Sequence, residues 1–315
     1  MHQKDYLIAV VFLLTVGGGI LFLSEISTNK KNIQNNLAAQ VFETPTPSPA
    51  ASITPTPNSA PEFSAHAVYS IFFDRTTEES KILLDINGEK PLPIASISKL
   101  MTALVVLKHY NLDAPVVISE KAIQEPEDSG NFKTGEVFTV QGLLYSLLVE
   151  SSNDAAAALA EVVGRDHFVQ LMNENAKELG LSSMQFSNPT GLDPKTSAEK
   201  LNTSSSSDLA LLTRYLLVNF PSIFDMLSIE KFTLLTAESK PHHIMSNTNK
   251  LLGHDGWPTK ILGGKTGMTP TAQGTLLLVL ESPDRKGYIV NIMLNTPHRF
   301  QEMEELTDWI LATYK

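Results

Sequence analysis

"PLPIASISKLMTALVVLKHY", residues 91–110, sets a serine and a lysine three positions apart at the head of an apolar run. Ile97, Leu100, Met101, Ala103, Leu104, Val105 and Leu107 cover more than one helical face, so the helix they predict belongs inside a domain. Ser96 then stands in the first turn, where backbone N–H groups lack intrahelical partners and the helix dipole favours negative charge. Lys99 shares its face. Burial disfavours the ammonium form, which is what a lysine needs to act as a general base. A helix cap beside a snorkelling lysine accounts for the same pair equally well, so the rest of the chain has to decide.

The Ser-x-x-Lys spacing also occurs at Ser27–Lys30, Ser197–Lys200 and Ser228–Lys231. The first lies beside an N-terminal apolar stretch with nothing to shape a pocket. The second is in the polar run "DPKTSAEKLNTSSSSD", and the third in "LSIEKFTLL" near a strand. All three read as solvated surface. Two further motifs single out Ser96. "VESSNDAAAAL" places Ser151 and Asn153 at a break before a helix, and "ILGGKTGMTPTAQGTLLLVLE" places Lys265, Thr266 and Gly267 on a segment leading into a strand. A lysine and a hydroxyl on an edge strand can hold a carboxylate, and the glycine lets a substrate backbone lie alongside. The order Ser-x-x-Lys, Ser-x-Asn, Lys-Thr-Gly is a strong combined signal for a single site. Lys133-Thr134-Gly135 spells the third motif again, but it precedes Ser151 and reads as a turn before a helix.

The chain of 315 residues, 42% of them apolar, can bury a full core. Its formal charge of −10 argues against a nucleic-acid partner, and the absence of cysteine excludes disulfides, thiolate metal sites and cysteine nucleophiles. Residues 1–5 precede "YLIAVVFLLTVGGGILFL", Tyr6–Leu23, whose 18 uncharged residues span about 27 Å as a helix and read as an uncleaved transmembrane anchor. Residues 24–62 hold six of the 18 prolines among Thr, Ser and Ala, the composition of an extended stalk. From residue 63 to 315 the pattern is globular. "AVYSIFFD" and "SKILLDI" read as strands, as do "TLLLVLE" and "GYIVNIML" around the turn "SPDRK". The middle is helical, and "RFQEMEELTDWILATY" closes the chain as a helix. The expected fold is α+β, with one antiparallel sheet assembled from both ends and helices packed on it.

"PIASISKLMTA", "LLVESSNDAAAALAE", "SNPTGLD", "SNTNKLL" and "GGKTGMTPTA" together resemble the low-molecular-mass penicillin-binding proteins, the serine-type D-alanyl-D-alanine carboxypeptidases, over about residues 63–315. The resemblance implies that Ser96 attacks the carbonyl between two D-alanines of a peptidoglycan stem peptide, with Lys99 as its base and Ser151 relaying protons. Asn153 would hold the substrate amide or position Lys99. Lys265 and Thr266 would meet the terminal carboxylate. Gly267 belongs to the same substrate-binding strand, and the backbone N–H groups of Ser96 and Met268 would form the oxyanion hole. β-Lactams would acylate Ser96, no cofactor or metal would be needed, and the catalytic body would lie outside the cytoplasmic membrane. Three positions depart from the family's pattern: Met268 follows Lys-Thr-Gly where the family often has an aromatic residue or histidine, Gln273 stands at a family glycine where it could narrow the strand's approach, and Thr248 stands where some members carry an arginine for the carboxylate. The extra C-terminal β-domain and amphipathic membrane helix of many family members are not expected in residues 63–315. A class A β-lactamase would need a glutamate where Ala198 stands in "AEKLN", a D,D-endopeptidase would share every motif, and a non-catalytic wall-binding scaffold would keep only the fold. His242, His243 and His254 lack zinc-site spacing and read as surface or packing residues.

Overall fold

The computed structural model describes residues 59–77, 79–126, 130–196 and 200–314. The expected anchor at Tyr6–Leu23, the stalk as far as residue 58, the Ser27–Lys30 pair, and Ser197, Ala198 and Glu199 lie outside the described residues. Among the described residues no helix is long and apolar enough to cross a membrane.

The chain opens with β1 (Ala67–Asp74), β2 (Ser80–Ile86) and the short β3 (Leu92–Pro93). A single 3-10 turn, Ala95–Ser98, leads into α1 (Lys99–His109). Strands β4 (Pro115–Val117) and β5 (Val137–Thr139) pair with each other. Helix α2 (Val140–Tyr145) starts where the Thr139 hydroxyl accepts from the Gly142 N–H, then widens into one π-helical turn, Ser146–Glu150. Helices α3 (Asn153–Glu161) and α4 (Arg165–Glu178) follow, then β6 (Thr203–Ser204), α5 (Ser206–Asn219) and α6 (Ser222–Leu227). The hairpin β7 (Lys231–Leu235) and β8 (Pro241–Ser246) precedes β9 (Ile261–Thr269), β10 (Gln273–Glu281), β11 (Gly287–Thr296) and α7 (Arg299–Thr313).

Five strands form the main sheet in the order β2-β1-β11-β10-β9, antiparallel throughout. The first and last strands of the domain are thereby neighbours, as the terminal strand patterns predict. Alternation divides the sheet's side chains between two cores. Leu277 and Val279 of β10 face the helical body, whereas Leu276, Leu278 and Leu280 face α7 through Met303, Leu306 and Ile310. Each such leucine contributes about 1.5–3 kcal/mol by leaving water. Buried polar groups crossing the sheet are paired: Ser70 Oγ donates to Asn291 Oδ1 (2.6 Å), whose Nδ2 donates to Thr307 Oγ1 on α7 (3.2 Å).

Helix α1 runs through the centre of the helical body, with every residue from Lys99 to Val106 buried. It does not begin at Ser96, as the apolar pattern suggested. Ser96 lies in the 3-10 turn before it, where side chains three apart eclipse one another. That tighter turn stacks Lys99 directly over Ser96. Strand β9 also exceeds its expected role as a lead-in: it is a nine-residue edge strand that carries Lys265, Thr266, Gly267 and Met268 within it.

Candidate active site

Ser96 is partly exposed at the mouth of an otherwise buried turn. Ala95 before it has φ +46°, a left-handed conformation that is strained in a residue with a Cβ. Ser98 Oγ donates to Ala95 O (2.8 Å), and Thr275 Oγ1 of β10 donates to Ile94 O (3.3 Å). The loop "SNPTGLD" closes over the turn. Gly191, at φ +86°, lies so close that a Cβ there would come within 2.0 Å of Ala95 O. Asn188 shapes this loop by accepting at Oδ1 from Thr190 N (3.1 Å), Thr190 Oγ1 (2.9 Å) and Gly191 N (2.7 Å).

Lys99 is wholly buried, and its Nζ lies 2.9 Å from Ser96 Oγ, 2.7 Å from Asn153 Oδ1 and 2.9 Å from Thr190 O. Those three partners suit both protonation states. An ammonium donates to all three. A neutral amine donates its two hydrogens to Asn153 Oδ1 and Thr190 O, which leaves its lone pair aimed at the Ser96 hydroxyl. Asn153 is buried at the start of α3, and its Nδ2 donates to Pro126 O (3.0 Å), so its amide orientation is fixed from both ends. Asn202 ties the same loop to the Ser96 turn through Ser98 Oγ (3.0 Å) and Asn188 O (2.9 Å).

Ser151 follows the π turn with φ 65° and ψ 32°, left-handed again, and Ser152 caps α3 by accepting from Ala155 N (3.1 Å). π turns occur often at functional sites, and this one turns Ser151 toward β9. Lys265 Nζ donates to Ser151 Oγ (2.7 Å) and to Thr266 O (2.9 Å). Burial pushes the Lys265 ammonium's pKa well below the usual lysine range, and the positive charges of Lys99 and Arg299 push it further. Thr266 Oγ1 lies 2.6 Å from Thr248 Oγ1. Gly267 is where β9 passes the Ser96 turn: a Cβ would sit 2.9 Å from Ser96 N and 2.4 Å from Thr275 Oγ1. Met268 directs its side chain outward and is 53% exposed.

Ser96, Lys99, Ser151, Asn153, Lys265, Thr266 and Gly267 thus meet in one cleft, with Met268 at its edge. The alternatives among the described residues do not enter it. Ser228 Oγ closes the end of α6 on Asp225 O (2.8 Å), and Lys133-Thr134-Gly135 forms the turn before β5. Gln273 does not narrow the strand spacing. It sits in the β9–β10 turn opposite Thr269, with its side chain exposed and φ +52°, so its cost relative to glycine is in backbone conformation.

Three contributors escape sequence reasoning. Thr190 acts through its backbone carbonyl, which no side-chain pattern announces. Asp193 accepts from Thr269 Oγ1 (2.7 Å) and Thr271 N (2.9 Å), tying the Thr190 loop to the end of β9. Arg299, the first residue of α7, reaches the cleft because β10 lies between β9 and β11. Its Cβ and Cδ approach Gly274, its charge acts on Lys265, and its buried Nε has no hydrogen-bond partner.

The class follows from fold and cleft together. Penicillin-binding protein D2 of Listeria monocytogenes, solved with cefotaxime bound, matches with a TM-score of 0.67 and 27% identity, over 80% of this chain and 98% of that one. The chain belongs to the D-alanyl-D-alanine carboxypeptidase family, peptidase S11, whose pattern matches residues 54–296. The D-alanyl-D-alanine carboxypeptidase DacF of Bacillus subtilis is 29% identical over 267 residues, 81% of this chain and 64% of its own length. A D-alanyl-D-alanine endopeptidase of Escherichia coli is 32% identical over 220 residues, 63% of this chain and 66% of its own length. The chain therefore spans slightly less than two thirds of the length of these curated relatives.

Proposed function

We propose that this protein is a serine D-alanyl-D-alanine carboxypeptidase that removes the terminal D-alanine of peptidoglycan stem peptides through an acyl-enzyme on Ser96. The observation that carries the reading is the Lys99 amine, 2.9 Å from Ser96 Oγ with both other directions occupied by acceptors. Lys99 takes the Ser96 proton as the oxygen attacks the carbonyl between the two D-alanines. The oxyanion forms beside the Ser96 and Met268 amides, where each donor is worth about 3–4 kcal/mol. Lys265 and Ser151, in contact at 2.7 Å, carry a proton to the leaving amine. Water then hydrolyses the ester, with Lys99 and Ser151 working in the reverse sense. The substrate's terminal carboxylate is met by Thr266, Lys265 and Arg299, so the cation expected at position 248 is supplied from α7 instead. β-Lactams acylate Ser96 by the same route.

The anchor Tyr6–Leu23 and the stalk to residue 62 belong to the same reading: they hold residues 63–315 outside the cytoplasmic membrane, within reach of the wall. Cleavage of cross-linked peptides is a second reading, favoured by the endopeptidase names among the relatives.

Covalent labelling by a fluorescent penicillin, lost in Ser96→Ala, tests the acyl-enzyme. Labelling that survives the substitution refutes it, and rapid penicillin turnover identifies a β-lactamase. Hydrolysis of diacetyl-L-lysyl-D-alanyl-D-alanine, compared with cross-linked muropeptides, separates the two peptidase readings. An inert protein that still binds peptidoglycan would be the scaffold.

A further inference from the structure

The two oxyanion donors of the proposed reaction, the amides of Ser96 and Met268, lie on different segments, and one loop bears on both. Gly191 packs so closely on the Ser96 turn that a Cβ there would come within 2.9 Å of Ser96 N as well as 2.0 Å of Ala95 O. Two residues on, Asp193 takes hold of the end of β9: Thr269 Oγ1 donates to its Oδ1 (2.7 Å) and Thr271 N to its Oδ2 (2.9 Å). Thr269 is buried and follows Met268 directly, and its hydroxyl also accepts from Ala272 N (3.0 Å). The carboxylate therefore grips the last residue of β9 and the turn after it as one unit.

Strand β9 needs such a grip. It has β10 on one side only, and Gly263, Gly264 and Gly267 deprive it of side chains that would stiffen it. The other link from the sheet to the Ser96 turn, Thr275 Oγ1 to Ile94 O, is longer at 3.3 Å and comes from β10. The loop makes a firm post because its first half is anchored independently of Asp193. Thr102 Oγ1 of α1 donates to Pro189 O (2.7 Å), Asn202 Nδ2 donates to Asn188 O (2.9 Å), and Asn188 Oδ1 accepts from Gly191 N (2.7 Å). These anchors also keep Thr190 O on Lys99 without help from Asp193.

We propose that Asp193 is a positioning residue for the oxyanion hole: through Thr269 and Thr271 it sets the Met268 amide against the Ser96 amide, with Gly191 as the fixed end of the spacer. Asp193 touches neither substrate nor base. It acts because a hole donor must be aimed to within a fraction of an ångström at an oxygen that exists only in the transition state. The inference rests on the acyl-enzyme reading of Ser96.

The test uses the full chain and two readouts: acylation by a fluorescent penicillin, and inhibition by a boronic acid analogue of an acyl-D-alanine. Ser96 Oγ adds an electron pair to boron while its proton passes to Lys99. No bond to boron breaks and no leaving group takes a proton, so the tetrahedral anion reports on the hole and not on proton delivery. Asp193→Ala and Thr269→Val remove the contact from opposite sides. In each, acylation and boronate affinity are expected to fall together by about ten- to a hundredfold, short of the roughly 10²–10³ that outright loss of a hole donor costs. The double variant is expected to be no worse than the poorer single one, because both remove one interaction. Thr269→Ser, which keeps the hydroxyl, is expected near wild type, and the pH profile of acylation is expected to keep its shape. A purely structural role would lower Tm and leave the boronate constant unchanged. Boronate binding at the wild-type level in either single variant, losses that multiply in the double variant, a serine variant as poor as the valine one, or a displaced pH profile overturns this inference alone. A wild type that neither labels with penicillin nor binds the boronate overturns the acyl-enzyme reading and this inference with it.

Discussion

Asn153 offers the sharpest separation of structure from chemistry, because its two amide atoms do different things. Oδ1 accepts from Lys99 Nζ at 2.7 Å, and Nδ2 donates to Pro126 O at 3.0 Å. In Asn153→Ala both bonds vanish inside a buried site. The bond to the lysine is worth about 1.5–3 kcal/mol and the neutral one about 1, for a loss near 2.5–4 kcal/mol. In a domain of this size that lowers Tm by about 5–15 °C. Acylation falls as well, since the amine's lone pair is no longer directed at Ser96.

Asn153→Asp keeps the shape and the acceptor for Lys99 but adds a negative charge at 2.7 Å from its nitrogen. An opposite charge this close favours the ammonium form by about 1–3 pH units. At neutral pH acylation should fall by about tenfold to a thousandfold and recover as pH rises, whereas the alanine variant should stay slow at every pH. Stopped-flow acylation by a chromogenic cephalosporin between about pH 6 and pH 10 reads both curves. An aspartate variant acylating at the wild-type rate at pH 7, or one whose deficit is the same at every pH, refutes Lys99 as the base.

Lys265→Met should abolish turnover yet raise Tm. The folded-state pKa is lowered, so the folded chain binds fewer protons than the unfolded one up to the ordinary lysine value of 10.5, and the variant's advantage should shrink as pH approaches it in thermal melts. Arg299→Ala should raise KM for a D-Ala-D-Ala peptide about tenfold and leave kcat near wild type, the signature of lost carboxylate binding in steady-state kinetics. Arg165 forms an ion pair with Glu125, the neighbour of the Pro126 carbonyl that orients Asn153. Arg165→Met should lower Tm by about 2–4 °C and slow penicillin acylation a few-fold.

How much of this was legible depended on whether a residue acts locally. β1 and β2 carry alternating or continuous apolar runs, and their bounds in the sequence are their bounds in the structure. The β7–β8 hairpin had no such signal: "KFTLL" and "PHHIMS" are short, half-exposed and interrupted by proline and histidine. β9 contains Gly263, Gly264 and Gly267, which weaken any strand propensity, and its extended form comes from pairing with β10. Ser96, Lys99, Ser151, Asn153 and Lys265 were legible because their chemistry resides in side chains at fixed spacing. The left-handed backbone at Ala95 and Ser151, the carbonyl of Thr190 and the approach of Arg299 were not, because tertiary contacts from distant segments impose them.

Two buried lysines in one cleft suggest why the site separates its proton traffic. Lys99's charge is, after burial, the next cause of Lys265's weakened hold on its proton, and the coupling is mutual. On the proposed route Lys99 becomes charged as Ser96 attacks, and Lys265 becomes a better acid at that moment. Ser151 Oγ, 2.7 Å from Lys265, is positioned to pass that proton to the departing nitrogen. Lys265→Arg separates charge from proton transfer, because a guanidinium keeps the cation for the carboxylate but does not release a proton. Turnover of a peptide, whose amine must be protonated to leave, should fall by about 10² or more. Turnover of the corresponding ester, whose alkoxide leaves more readily, should fall far less. Equal losses on amide and ester would mean that Lys265 only binds, and that the leaving group takes its proton elsewhere.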